Sequence, residues 1–359
     1  MTHRTLDPAP HAAAEAEVAR LHEHFIDARG YLAACTSGLP TRGSRAAVLA
    51  DLDRRPDPAF YTGVVDRTRA AFARLVGTSE ARIAIGSQAS TQIALVATAL
   101  PDGAEVLCAD GDFSSVVMPF VYAGRGIRVR TVPLDALADE IGPTTALVAF
   151  SLVQSATGAV ADAAAIVAAA ARHGTWTLCD ATQAAGWMPV RAELFDALVC
   201  HAYKWLCAPR GVSFVALSER LAARMRPVQA GWYAGADPWA SCYGGASPLA
   251  EDARRFDVSP AWQAFVGAEP AIDLFAGVDA AGVHAYTTRL ATTFRERRGL
   301  PASARASAIV TWDDPDGCDL ARLSAAGIVA SGRAGRARVA FHVFNDDEDV
   351  ELAVRALTP

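Results

Sequence analysis

Lys204 is the only lysine among 33 basic residues; the other 32 are arginine. A guanidinium stays protonated at any workable pH, whereas a desolvated lysine can release its proton and act as a nucleophile or base. A chain that uses arginine wherever fixed charge will serve has kept one amine, and that points to a Schiff base. Upstream, Leu178-Cys179-Asp180-Ala181-Thr182-Gln183 ends an apolar run on a carboxylate. A carboxylate buried there needs a partner. A protonated pyridine nitrogen is one such partner, and Gln183 can reach a nearby phenolic oxygen. In a third segment, Ile85-Gly86-Ser87-Gln88-Ala89-Ser90-Thr91, an apolar run passes straight into a helical pattern. Gly86 permits a tight turn, Ser87 can cap the helix, and the N–H groups of 87–89 form a phosphate cradle with the helix dipole.

The elements that must position these groups are legible as pattern. Apolar runs without alternation occur at Arg82–Ile85, Glu105–Ala109, Ile127–Val132, Ala146–Leu152, Trp176–Cys179, Ala197–His201 and Ser213–Leu217. Such runs indicate strands buried on both faces of a mostly parallel sheet. Helical patterns at 88–100, 115–124 and 160–173 separate them. Ligands of such sheets bind beyond the carboxyl ends of the strands, where Asp180, Lys204 and the 86–88 turn all fall. One strand-helix-strand unit separates Asp180 from Lys204, which places both at one sheet edge on neighbouring strands. Aldehyde, ring nitrogen and phosphate are the three ends of pyridoxal phosphate, and the three segments match them. The strand at 213–217 follows a short Pro-Arg-Gly turn and is expected to run antiparallel.

Beyond Leu217 the texture changes. Residues 227–262 are rich in Trp, Tyr, Gly and Pro, including Trp232, Tyr233, Trp239, Tyr243 and Trp262. They read as an ordered loop region over a site or a subunit interface. Helices near 267–276 and 284–297, strands at Ala308–Thr311, Ile328–Ser331 and Arg338–His342, and a helix over 346–357 form a smaller α+β piece. The expected division is 1–50 packing on the smaller domain, 51–255 as the cofactor-binding α/β domain, and 256–359 as the small domain.

Composition narrows the function classes. The net charge is −6 and no basic cluster interleaves with aromatics, which argues against nucleic acid or anionic membrane as partners. No apolar run reaches membrane-spanning length, and Met1 to Ala19 lacks the apolar core of a signal peptide. Seven cysteines are an odd number without framework spacing. Cys108, Cys179 and Cys200 sit in strand-like runs as buried thiols, so a reducing cytoplasm is expected. No Cys/His group has zinc spacing, and no metal is expected.

With these residues in place the sequence resembles the class V aminotransferase family, which includes cysteine desulfurases, kynureninase and isopenicillin N epimerase. The resemblance is carried by Asp180-Ala181-Thr182-Gln183, by Lys204-Trp205 with Ala208-Pro209-Arg210-Gly211, and by Arg338-Val339-Ala340-Phe341-His342-Val343-Phe344-Asn345. It implies a fold type I pyridoxal-phosphate transferase: a mostly parallel seven-stranded α/β sheet covered by helices, with a smaller α+β C-terminal domain. It also implies a homodimer with its active site at the subunit interface. Lys204 would carry the cofactor and Asp180 would hold the pyridine nitrogen protonated. Gln183 and Ser155 would contact the 3′ oxygen, and Phe113 would stack on the ring without an acid-base role. Ser87, Gln88 and His201 would touch the phosphate, with Ser259 contributing from the neighbouring subunit. Arg338 would bind the substrate carboxylate, with Arg333 and Arg336 as competitors.

The resemblance implies an enzyme acting at Cα of an amino acid, by transamination or epimerisation. β-Lyase, C–S lyase or desulfurase-like chemistry is the alternative, and a non-catalytic pyridoxal-phosphate-binding protein is a second. Desulfurases place a nucleophilic cysteine on a small-domain loop. The corresponding stretch here, 327–336, has none, and Cys318 precedes it, which disfavours persulfide chemistry.

Overall fold

The computed structural model describes Val18 and residues 20–358; the expected segment 1–50 lies outside them up to residue 17. Seven strands form one sheet: β1 (Ile83–Gly86), β2 (Glu105–Ala109), β3 (Arg128–Val132), β4 (Thr145–Ser151), β5 (Trp176–Asp180), β6 (Ala197–His201) and β7 (Ser213–Leu217). Their order is β1-β7-β6-β5-β4-β2-β3. The neighbours from β3 to β6 are parallel, while β7 runs antiparallel to both β6 and β1.

The sheet is buried on both faces except at its edge strand β3, expected as an unbroken apolar run, where Arg128 and Thr131 are exposed and only Val132 is buried. Along β4, Val148 and Phe150 enter one core while Leu147 and Ala149 enter the other. Helices α1 (Arg42–Leu52), α2 (Pro58–Leu75), α3 (Ala89–Val96), α4 (Ser114–Val121) and α5 (Ala163–His173) belong to this part of the chain. Asp57 caps α2 ahead of Pro58, and Asp162 starts α5, which Gly174 ends at φ 68°. These are the residues that helix ends select, an acceptor at the start and a left-handed glycine at the stop.

The chain continues through α6 (Trp262–Ala276), α7 (Ala280–Arg297), β8 (Ile309–Asp313), α8 (Cys318–Ala325), β9 (Ser331–Arg333), β10 (Arg336–Ala340) and α9 (Asp347–Leu357). The three strands make a second, antiparallel sheet in the order β8-β10-β9. The strand expected at 328–331 is found at 331–333. Val329 is engaged elsewhere: its N–H donates to the Gly30 carbonyl and its carbonyl accepts from Leu32 N–H. The N-terminal segment thus takes the pairing that local pattern assigned to the hairpin. Ala33 continues the contact as a bridge to Ala340.

A buried ion pair fastens β1, and with it the turn at Gly86. Arg69 of α2 donates to the Ile83 carbonyl at 2.7 Å and to both carboxylate oxygens of Asp257, at 3.2 and 2.7 Å. Asp257 also accepts from the N–H of Ile85 at 2.8 Å. Removing one member of a buried pair strands the other charge away from water. Asp257→Ala should therefore lower the unfolding free energy by about 3–5 kcal/mol. Denaturant unfolding of the purified variant measures this, and a change below about 1 kcal/mol would show that water reaches Arg69.

Candidate active site

Four segments meet at the carboxyl edge of the sheet. β5 ends on Asp180 and β6 on His201, three residues before Lys204; β4 ends on Ser151, four residues before Ser155. The turn after β2 supplies Phe113. A small cavity is lined by Ala89, Phe113, Ser115, Ser151, Ser155, Asp180, Thr182, Gln183, His201, Tyr203 and Lys204. A larger groove between α1, α2 and α6 has charged walls of its own, but the small cavity is where a buried lysine and a buried carboxylate meet.

The loop that carries Lys204 is clamped by two close backbone approaches. Gly38 donates its N–H to the Tyr203 carbonyl at 2.9 Å. A Cβ at Gly38 would lie 2.0 Å from the Lys204 carbonyl oxygen, and one at Gly186, whose φ is 109°, would lie 2.5 Å from that of Trp205. Neither position can take a side chain without moving the lysine. His342 adds a third anchor: its Nδ1 accepts from Val343 N–H, which leaves Nε2 to donate to the Trp205 carbonyl at 2.8 Å. Burial holds His342 down to about 4, so the ring is neutral in this role.

Lys204 is buried, with Nζ 5.1 Å from the Phe113 ring centroid and 5.7 Å from that of Tyr203. Burial lowers its pKa to about 8; Asp180 and Cys35 oppose the shift, while Arg338 and Arg333 add to it. Asp180 is buried as well, and burial pushes its carboxyl up. The Thr182 hydroxyl and N–H hydrogen bonds and the Lys204 charge oppose that rise, and Asp112 reinforces it. His201 is held to about 4 by burial and by the charges of Arg210 and Lys204, so it is neutral at physiological pH. Its Nε2 is buried without a hydrogen-bond partner among the described residues.

Gln183 organises the far wall. Its Oε1 accepts from Trp205 Nε1 at 2.7 Å, and its Nε2 donates to the Cys35 carbonyl at 2.9 Å and to Ser155 Oγ at 3.0 Å. Both amide hydrogens are thereby engaged. Ser155 Oγ also accepts from Arg338 Nη1 at 2.9 Å. With two acceptor positions filled, the free hydrogen-bonding capacity of Ser155 is its own proton. Arg338 is 1% exposed and further donates to the Ser155 carbonyl, Ser331 Oγ and Thr36 Oγ1. No carboxylate of the described residues pairs with it, and burial lowers its pKa. A buried unpaired guanidinium is a standing demand for an anion.

The structure therefore brings together Phe113, Ser155, Asp180, Gln183, His201 and Lys204, with Arg338 joined to them through Ser155. Ser87 and Gln88 lie one step outside, just before Ala89 in the chain; Gln88, and not Ser87, is the N-cap residue of α3, and its side chain makes no capping bond. Ser259 is exposed and away from the cavity of its own chain. Arg336 is taken by Asp313 at 2.7 Å.

Several contributors escaped the sequence reading. Thr182 donates its N–H to Asp180 Oδ1 at 2.8 Å, and its spacing two residues after the carboxylate is the signal that could have found it. Asp112 accepts from Ser151 and from Phe113 N–H and so fixes the ring. Cys35 and Thr36 come from a remote segment, and nothing local to them announces a site.

A sheet with a buried lysine and a buried acid at the carboxyl ends of adjacent strands, and a helix N-terminus alongside, defines a pyridoxal-phosphate enzyme of the aminotransferase fold. The Aminotransferase class-V family matches residues 59–300, more than half of the chain, and the protein belongs to that family. Isopenicillin N epimerase of Amycolatopsis lactamdurans is 30% identical over 201 residues, spanning 50% of this chain and 49% of that protein. Kynureninase of Deinococcus radiodurans is 30% identical over 248 residues, 65% of this chain and 59% of that one. The chain thus matches about half the length of the epimerases and somewhat more of the kynureninase. Among solved structures, the cysteine desulfurase CsdA of Escherichia coli superposes with TM-score 0.82 at 19% identity, covering 95% of this chain and 97% of that one. The cystine C-S lyase C-DES gives 0.81 at 20%, covering 92% and 98%. These likenesses show the fold.

The cofactor is pyridoxal phosphate, and the residues present fit it. Asp180, destabilised as an anion by burial, accepts a cationic ring nitrogen; His201 Nε2 offers an unpaired donor to a phosphate oxygen; Lys204 is an amine made nucleophilic by desolvation. Because Lys204 is the sole lysine, its titration can be read directly. In cofactor-free protein, acylation of Lys204 should rise with pH through about 8 and level off, where an ordinary lysine would keep rising towards 10.5. Asp180→Ala should move that midpoint lower, because Asp180 holds it up. Peptide mass spectrometry across a pH series measures both, and a midpoint above 10 would contradict the site's desolvation.

Proposed function

We propose that the enzyme acts at Cα of an α-amino acid, with transfer or isomerisation at that carbon as its reaction, and that Lys204 is the residue joined to the cofactor. When bound, pyridoxal phosphate supplies an electron sink for the pair left behind when a proton leaves Cα. The observation that carries the reading is the burial of Lys204 and Asp180 in one cavity, with Arg338 bonded to Ser155 of the same cavity.

Each group has a task set by its environment. Arg338, buried without a carboxylate partner, takes the substrate carboxylate on its one free N–H and gains a second prong by releasing the Thr36 hydroxyl, which orients the Cα–H bond. Lys204, once released by the incoming amine, removes the Cα proton; an amine held near 8 is well matched to that at neutral pH. Asp180 keeps the ring nitrogen protonated and so stabilises the developing charge. Ser155 donates its free proton to the 3′ oxygen, while Gln183 holds Ser155 in place and does not itself donate there. Phe113 covers the ring and, having no titratable atom, moves no proton. Ser87, Gln88 and His201 attend the phosphate.

Dimerisation is part of this reading. Phe113, Met118, Val121, Tyr122, Val228, Trp239 and Tyr243 are all exposed large apolar residues. Phe113 lines the cavity, and Met118 of α4 shares a surface depression with Gln229 of the loop region. Exposed Phe113 and Met118 beside the site call for a partner surface, and a second copy there would bring its Ser259 towards the phosphate.

Persulfide chemistry has little support. Cys318 is exposed at the start of α8, and the hairpin 331–336 carries serine and arginine but no thiol. Three variants test the proposal together against a panel of amino acids. Asp180→Ala should retain cofactor yet lose roughly 3–4 kcal/mol of rate. Arg338→Ala should raise KM by an amount on the order of 1.5–3 kcal/mol. Cys318→Ala should stay within a few-fold of wild type. Inactive Cys318→Ala beside a fully active Arg338→Ala would make the enzyme a desulfurase.

A further inference from the structure

The hairpin β9–β10 presents three arginines on one face. In its register Arg336 lies opposite Arg333 and Arg338 opposite Ser331. Directly opposed residues share a face, and so do residues two apart on one strand. Ser331, Arg333, Arg336 and Arg338 therefore all face the same way. That way is towards the large sheet, since Arg338 bonds Ser155, and Thr311, opposite Arg338 on β8, bonds the Thr157 carbonyl at 3.1 Å. The turn is two residues long, with Ala334 at φ 50° and Gly335 at φ 72°. Such a mirror-image turn fits the strand twist and fixes Arg333 directly beside it.

The three cations differ in what neutralises them. Arg336 is paired with Asp313. Neither Arg333 nor Arg338 has a carboxylate partner among the described residues. Both reach the same hydroxyl: Thr36 Oγ1 lies 2.9 Å from Arg338 Nη2 and 3.5 Å from Arg333 Nη2. Arg338 is sealed in the wall of the cofactor cavity, whereas Arg333 is exposed at its outer side. The charge of Arg333 reaches the site, lowering the pKa values of both Lys204 and Arg338. One guanidinium deep and one at the rim, bridged by a single hydroxyl, form a receptor for two anionic groups on one small molecule.

We propose that Arg333 is a specificity-determining residue and that the substrate is an amino acid bearing a second carboxylate, with its α-carboxylate on Arg338 and the second on Arg333. The assignment of Arg338 rests on the function proposed above. A monocarboxylic substrate would leave Arg333 at the mouth with no counter-charge, which favours discrimination by charge rather than by size.

The test measures equilibrium binding of unreactive acids to the holoenzyme by calorimetry. Glutarate and butyrate are the probes, since they differ by one carboxylate. Wild type should prefer glutarate by roughly tenfold to a hundredfold, the range of a charge-assisted contact. Arg333→Ala should erase most of that preference, and Arg333→Glu should reverse it. Arg336→Ala, a change at the paired arginine on the same face, should leave the preference in place. Equal affinity of wild type for the two acids would overturn the proposal. So would an Arg333→Ala variant that weakens both acids alike, which would make Arg333 a second contact of the α-carboxylate. Failure of the underlying reading looks different: Arg338→Ala would then bind both acids as wild type does.

Discussion

The site depends on the desolvation of two opposite charges at one sheet edge. Lys204 and Asp180 stand at the ends of adjacent strands, buried, and burial acts against the charged form of each. Their mutual attraction offsets only part of this, since the lysine is still lowered and the carboxyl still raised. The chain alone leaves both groups short of a partner. A cofactor with an electrophilic carbon at one end and a basic ring nitrogen at the other resolves both deficits at once. The remaining features of the site follow from holding these two side chains where water cannot.

Holding them requires contacts that are distant in sequence. Gly38 and Gly186 let backbone approach the lysine loop more closely than a methyl group would allow, and His342 ties that loop to the end of the small sheet. Gln183 links Trp205, Cys35 and Ser155, and Ser155 passes the connection to Arg338. The cofactor pocket and Arg338 therefore sit in one hydrogen-bonded network. A satisfied buried network of this kind is unforgiving of the loss of any member.

Much of this was legible because it is local. Six of the seven strands announced themselves as apolar runs, with ends shifted by a residue or so, since a strand buried on both faces leaves little choice of composition. β3, at the sheet edge, alternates arginine with valine and is largely uncovered. Lys204 stood out by its solitude, and Asp180 by ending a buried run on a charge. What stayed hidden was what only folding brings near. The segment Cys35–Gly38 carries no motif, yet it supplies a carbonyl to Gln183, a hydroxyl to two arginines and a seat for the lysine loop. The strand read at 328–331 was displaced for the same reason: Gly30 and Leu32 claimed Val329. Ser259 lies outside its own chain's cavity, and its assignment depends on a second copy.

The central claim is that the one lysine of this chain holds the cofactor, and covalent trapping tests it most directly. Holoenzyme reduced with borohydride, digested and analysed by mass spectrometry should carry a phosphopyridoxyl group on the peptide containing Lys204, in a ratio near one per chain. Lys204→Arg, treated identically, should carry none. Cofactor fixed to the chain in the lysine-free variant, or a catalytically active holoenzyme with Lys204 unmodified after reduction, would contradict the account.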